Sequence, residues 1–247
     1  MTQIAIVLYP SFTALDLVGP YESLHYLPSA DVRFVWHQTG PLTADSGVLT
    51  IGATHTFEET SSPDVVLVPG GPGSVRAAQD EVLLSWLRQV STTADWTTSV
   101  CSGSVILAAA GLLTDRRATS HWITLPVLKT FGAVPVGDER IVVEGRIATA
   151  AGVSAGMDLG LWLTAQIGGE ERARAVQLGL EYDPQPPFDS GHVSRASRRS
   201  KALATAMLSR DVVRTGQLGP ATQMAWGRTI NAVRTASSRR RRGSSGR

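Results

Sequence analysis

The chain contains one cysteine, Cys101, in the run Val100-Cys101-Ser102-Gly103-Ser104. Residues 96–100 before it read as a strand, and residues 104–113 after it form an Ala- and Leu-rich segment of strong helix propensity. A residue on so sharp a strand-to-helix turn takes a strained backbone conformation and projects its side chain into the crevice above a sheet. Gly103 lets the helix approach closely, and the helix N-terminus directly after Cys101 would favour its thiolate. A lone cysteine is more often a small buried hydrophobe. A turn followed by Ser-Gly-Ser, however, is not where a core-filling residue is needed, so the position argues for a nucleophilic or redox role. One cysteine can form neither an internal disulfide nor a thiolate metal cage.

Other residues could serve the same site. Asp16 lies in Ala14-Leu15-Asp16-Leu17-Val18-Gly19-Pro20, an acid flanked by apolar residues. It could cap the helix that begins nearby. Facing a thiolate in a poorly solvated pocket, it would instead have a raised pKa and hold a proton near neutral pH. Gly70 and Gly71, after the apolar run Val65-Val66-Leu67-Val68, are turn formers that could also present N–H groups to a developing negative charge. His121 follows Cys101 by twenty residues; a general base and a hydrogen-bonded structural histidine are equally open readings. Gly152-Val153-Ser154 opens a helix and could line the same crevice. No His-x-x-x-His pair, phosphate-binding lysine loop or G-x-G-x-x-G fingerprint is present.

These positions depend on the elements that carry them. Residues 3–9, 32–36, 64–68 and 96–100 read as strands, three of them short apolar runs suited to a parallel sheet covered on both faces. Helices are expected over 13–27, interrupted at Gly19-Pro20, and over 74–90, 104–113, 122–131, 154–167 and 170–180. Short hairpins are expected around 48–51 and over 141–150. Alternating strands and helices of this length indicate an α/β, flavodoxin-like doubly wound sheet, mostly parallel, with helices on both faces and a cysteine nucleophile elbow. Asp16, Gly70-Gly71 and Cys101 all fall at carboxyl ends of strands, where such sheets bind ligands. Residues 1–190 form the α/β domain, 191–236 a helical extension, and 237–247 an Arg-rich tail.

Composition supports an ordinary globular domain: 247 residues, 43% hydrophobic and 18% charged, with 24 glycines. Disorder throughout, collagen and coiled coil are excluded. No run reaches the length of a membrane span, and the N-terminus lacks the features of a signal peptide, so the expected compartment is the cytoplasm. Charge is uneven. Residues 1–194 hold 10 basic and 20 acidic side chains, whereas residues 195–247 hold 13 basic and one acidic, Asp211. The terminal Ser237-Ser238-Arg239-Arg240-Arg241-Arg242 run has nothing apolar to bury and reads as a disordered, solvated tail. Nucleic acid is not an expected partner, although four consecutive arginines could bind it.

The cysteine elbow, the acid after the first strand and the Val-Pro-Gly-Gly loop resemble the DJ-1/PfpI superfamily. Within it, ALDLVGPYE, LVPGGPG, TSVCSGSVILAAAGLL, RRATSHW and TAAGVSAGMDLGL resemble isocyanide (isonitrile) hydratases, and equally the N-terminal domains of AraC-type regulators. Ser102 after the cysteine departs from the PfpI-type proteases, glyoxalases and class I glutamine amidotransferases. Asp16 stands where DJ-1 and its near relatives carry Glu, as in the hydratases. The hydratases usually carry Thr at the position of Ser102. About 60 residues follow Pro187, too few for the paired helix-turn-helix units of an AraC-type regulator.

The resemblance implies an isonitrile hydratase that converts a small-molecule isocyanide to an N-substituted formamide through a covalent Cys101 thioimidate. Asp16 would give the proton and position a water, and Ser102 would hold the Asp16 carboxyl through its hydroxyl or its backbone N–H. Gly70, Gly71, His121, Gly152 and Val153 would line the substrate site. The resemblance implies no metal or organic cofactor, and a homodimer. The alternatives are a non-catalytic ligand- or redox-sensing domain related to AraC-type regulators, and a DJ-1-like oxidative-stress protein whose Cys101 becomes a sulfinate.

Overall fold

Three apolar runs lie side by side at the centre of a seven-stranded sheet. The computed structural model describes residues 1–217. Its strands are β1 (Thr2–Val7), β2 (Ala30–Trp36), β3 (Gly40–Thr43), β4 (Thr50–Ala53), β5 (His55–Thr56), β6 (Val65–Val68), β7 (Trp96–Val100), β8 (Arg117–Ala118), β9 (Val134–Pro135), β10 (Ile141–Glu144) and β11 (Ile147–Ala150). The main sheet has the order β10-β11-β7-β6-β1-β2-β5. Only β10 runs antiparallel, paired with β11 across Glu144 and Ile147. Ile4 to Val7 and Val65 to Val68 are buried without an exposed alternate position, which is why their sequences lack period-two alternation. β3 and β4 form a separate antiparallel hairpin, as do β8 and β9 a small parallel pair.

The helices are α1 (Ala14–Leu24), α2 (Ser74–Ala77), α3 (Glu81–Val90), α4 (Gly103–Ala109), α5 (Leu125–Lys129), α6 (Ala155–Gly168), α7 (Glu170–Gly179) and α8 (Arg198–Arg214). The sheet with helices packed on it is the α/β, flavodoxin-like arrangement expected from the sequence. Chain order reverses between β1 and β6, which places the crevice at their carboxyl ends.

Three local expectations are corrected. α1 runs through Gly19-Pro20 without interruption. Gly160 of α6 packs on Pro20 so closely that a side chain there would come 2.7 Å from its Cα, and this helix–helix contact overrides the proline's local preference. The helix expected over 74–90 is two helices, because Asp80 takes an extended conformation and its side chain accepts the Leu83 N–H as the cap of α3. The helix expected over 122–131 is only the five residues of α5, begun by Pro126 near its first turn. The Arg-rich tail, residues 237–247, lies outside the described residues, as does the end of the expected helical extension. Among the described residues no helix is long and apolar enough to cross a membrane.

Candidate active site

Because β1, β6 and β7 are neighbours in the sheet, the segments that leave their carboxyl ends meet. Asp16 arrives on the first turn of α1, Gly70 and Gly71 on the loop after β6, and Cys101 on the turn after β7. Thr13 N–H donates to the Gly70 carbonyl at 2.8 Å, and Tyr9 Oη donates to the Pro69 carbonyl at 2.7 Å. These bonds tie the β1 and β6 loops together below the site.

Cys101 has φ of +57°, a left-handed conformation that costs an L-residue roughly 1–2 kcal/mol. Its backbone is held there on both sides. The Cys101 N–H points at the carbonyls of Ala150 and Ala151, at 3.1 and 2.8 Å. Its carbonyl accepts the hydroxyls of Ser104 at 3.1 Å and Ser120 at 3.0 Å. Gly103 is required next to it, since any side chain there would run into the Val68 carbonyl.

Asp16 is fully buried. Its Oδ2 accepts the Gly70 N–H at 2.8 Å, while Oδ1 has no well-formed hydrogen bond from the described residues. A Cβ at Gly70 would lie 2.5 Å from the Ser102 nitrogen and 2.8 Å from Asp16 Oδ2, so only glycine admits this approach. Burial pushes the Asp16 carboxyl up to about 7, against the opposing effects of the Gly70 N–H and the adjacent Cys101 thiol. Burial, and then the Asp16 charge, push the Cys101 thiol well above its ordinary range.

Burial and the neighbouring carboxyl thus oppose the thiolate expected at the helix N-terminus, which the Ser102 hydrogen bonds and the seven residues of α4 favour. The expected role of Ser102 is corrected. Its hydroxyl accepts the Gly71 N–H at 2.9 Å and donates to the Gly71 carbonyl at 3.2 Å, and Asp16 is held by Gly70. With the Gly70 N–H on Asp16 and the Gly71 N–H on Ser102, neither glycine has an N–H left for a developing negative charge.

A cavity of about 190 Å³ opens above Cys101, bordered also by Gly71, Ser102, His121 and Val153. Gly70 and Gly152, expected to line it, do not border it; Gly152 stands behind His121, 3.2 Å from the Cδ2 atom by the position of its missing Cβ. Burial lowers the His121 pKa, so the ring is neutral at pH 7. Its Nδ1 accepts the Ile123 N–H at 3.4 Å, and the ring borders the cavity.

Residues that the sequence did not single out complete the cavity. Thr13 donates to Asp45 Oδ2 at 2.6 Å, and both border it. Val75 and Ile123 supply apolar surface, and α8 crosses above with Thr205, Leu208, Ser209, Asp211 and Val212. The one available signal was the apolar spacing of Leu208 and Val212, four residues apart. Among the described residues no cluster of His, Cys, Asp or Glu could hold a metal ion.

The DJ-1/PfpI family model matches residues 2–166. The isonitrile hydratase of Pseudomonas putida is 45% identical over 189 residues, 76% of this chain and 82% of that protein. The HTH-type transcriptional regulator CdhR of Pseudomonas aeruginosa is 31% identical over 183 residues, which cover 53% of its length. Among solved structures, a THiJ/PfpI family protein from Pseudomonas syringae superposes with a TM-score of 0.79 at 38% identity, over 87% of this chain and 90% of that one.

Proposed function

The chain belongs to the DJ-1/PfpI family, and from that premise we propose that it hydrates an isocyanide, R–N≡C, to the formamide R–NH–CHO. The observation that carries this reading is the fully buried Asp16 carboxyl, pushed up to about 7 by burial, beside the Cys101 thiol that borders a mostly apolar cavity. A carboxyl tuned to neutral pH can take and return a proton within one turnover. The 45% identity to an isonitrile hydratase supplies the substrate class.

In the proposed mechanism the Asp16 carboxylate accepts the thiol proton as Cys101 Sγ bonds to the terminal isocyanide carbon. That carbon's electron pair then takes the proton from Asp16, giving the thioimidate Cys–S–CH=N–R. Asp16, again a carboxylate, draws a proton from a water that adds to the same carbon, and the nitrogen is protonated. The C–S bond breaks, the formamide leaves, and the sulfur regains its proton. The His121 ring, which borders the same cavity, would donate to the added oxygen. Burial and a raised pKa leave little thiolate at rest, which favours chemistry triggered by substrate over oxidation of Cys101 by peroxide.

The reading is tested by incubating the protein with phenyl isocyanide in D₂O and following N-phenylformamide by NMR. Catalytic turnover with deuterium at the formyl carbon is expected. Absence of turnover, or formamide carrying hydrogen at that carbon, overturns the proposal.

A further inference from the structure

Helix α8 contributes Thr205, Leu208, Ser209, Asp211 and Val212 to the cavity that holds Cys101, although it lies about a hundred residues beyond that cysteine in the chain. It has no buried residue of its own. Its attachment is polar. Arg214 donates to the Asp45 carbonyl at 2.7 Å and to the Ser46 carbonyl at 3.5 Å, and pairs with Asp211 at 3.0 Å. Asp45 is itself tied to Thr13, one turn of chain before Asp16. The helix is thus anchored to the loop that borders the cavity.

The composition of the cavity states what it can hold. Val75, Ile123 and Val153 face Leu208 and Val212 across it, so its body is aliphatic. A cavity of about 150 Å³ lined by aliphatic and aromatic side chains holds benzene, and this one is about 190 Å³. Among the described residues, the two charged ones at its border, Asp45 and Asp211, are both acids, and no Lys or Arg borders it. An anionic group entering there would meet two carboxylates, one of them, Asp211, paired with Arg214.

We infer that α8 is the specificity-determining roof of the site. Leu208 and Val212 set the size of the nitrogen substituent, which is uncharged. Arg214 is the positioning residue that holds the roof in place. The substrate class rests on the hydration reading above, whereas the roof itself does not.

Two measurements on the full chain separate these. The first is kcat/KM for methyl, phenyl, 1-naphthyl and 4-carboxyphenyl isocyanide. Wild type should favour phenyl over 4-carboxyphenyl by at least about tenfold, within the range that pocket mismatches produce. Leu208→Phe should lower the phenyl-to-methyl ratio by at least about tenfold, and Leu208→Ala with Val212→Ala should raise the naphthyl-to-phenyl ratio by a similar factor. Arg214→Ala should raise KM for phenyl isocyanide more than it lowers kcat, and Arg214→Lys, which can still reach one carbonyl, should restore part of that KM.

The second measurement needs no turnover. Cys101 is the single cysteine, so its alkylation can be read by mass. The ratio of N-phenylmaleimide to iodoacetamide rates should fall in Leu208→Phe and rise in Leu208→Ala. If that ratio shifts while no isocyanide is hydrated, the roof stands and the hydration reading fails. If isocyanides are hydrated but neither the ratio nor the substrate profile responds to residues 208 and 212, the roof is overturned. Equal use of phenyl and 4-carboxyphenyl isocyanide would overturn the uncharged substrate class.

Discussion

At the floor of the cavity, Cys101 and Asp16 are buried, and four backbone-directed hydrogen bonds fix the strained cysteine. At the roof, α8 has no buried residue and is joined to the loop at residues 45–46 mainly through one arginine. The floor draws on the whole sheet to hold an unfavourable conformation and an unfavourably placed acid. The roof is held by local contacts that cost the fold little to change. Reactive groups that need strain and desolvation belong where packing over-determines them, and surfaces that choose among substrates can lie where packing is light.

The largest effect should come from the floor. Cys101→Ala should abolish hydration, because it removes the chain's single thiol, and retention of more than a few per cent of the wild-type rate would sink the covalent route. Cys101→Gly should be equally inactive yet more stable by about 1 kcal/mol, since glycine adopts the left-handed conformation without strain. Chemical denaturation of the two variants measures that difference. If Gly and Ala are equally stable, the floor is not storing backbone strain.

Asp16→Asn should cost at least about two orders of magnitude in rate, the usual contribution of a positioned proton-transfer group. It should also make Cys101 easier to alkylate at pH 8, because the Asp16 charge is one cause of the raised thiol pKa. Falling hydration with rising alkylation distinguishes lost proton transfer from a damaged nucleophile. Stability should move the opposite way to activity. The carboxyl is raised from 3.8 to about 7 in the fold, so the folded state holds the proton more tightly than the unfolded chain. Its contribution is fully present below pH 3.8 and is lost as pH rises to about 7. Asn, which carries no charge to bury, should therefore gain on the order of 2–4 kcal/mol over Asp at pH 8 and much less at pH 4. A thermal-stability difference that does not grow between those pH values would show that Asp16 is not buried as an acid.

The same titration should shape the rate. With Asp16 acting first as a base, kcat/KM should fall about tenfold per pH unit below a midpoint of about 7. The limb should disappear in Asp16→Asn. A midpoint near 4 would place the carboxyl in water rather than in the protein interior.

Much of the floor could be read from the residues in order, because the cysteine elbow and the loop after β6 are local motifs at the ends of apolar runs. Asp80 before Glu81 was also a local cap signal, although the apolar spacing through 74–90 concealed it. What the order of residues did not carry was tertiary. Ser102 binds Gly71 rather than Asp16 because two loops meet at a distance set by glycine, and Pro20 stays helical because Gly160 packs on it. The roof was harder still. Leu208 and Cys101 border one cavity from more than a hundred residues apart, and Arg214 binds backbone carbonyls, which leave no mark on the identity of their residues.

The smallest effect should fall at the start of the roof. Ser197 accepts the Ser200 N–H at 3.0 Å as the cap of α8, and its removal typically costs a helix about 1 kcal/mol. A helix that opens independently of the sheet would lose that amount locally. Amide exchange in α8 should then quicken about fivefold in Ser197→Ala, the factor that 1 kcal/mol represents. Exchange in β6 and β7, and the melting temperature, should stay as they were. If the melting temperature falls and β7 exchanges faster as well, α8 opens together with the sheet, and the division between a rigid floor and an adjustable roof is lost.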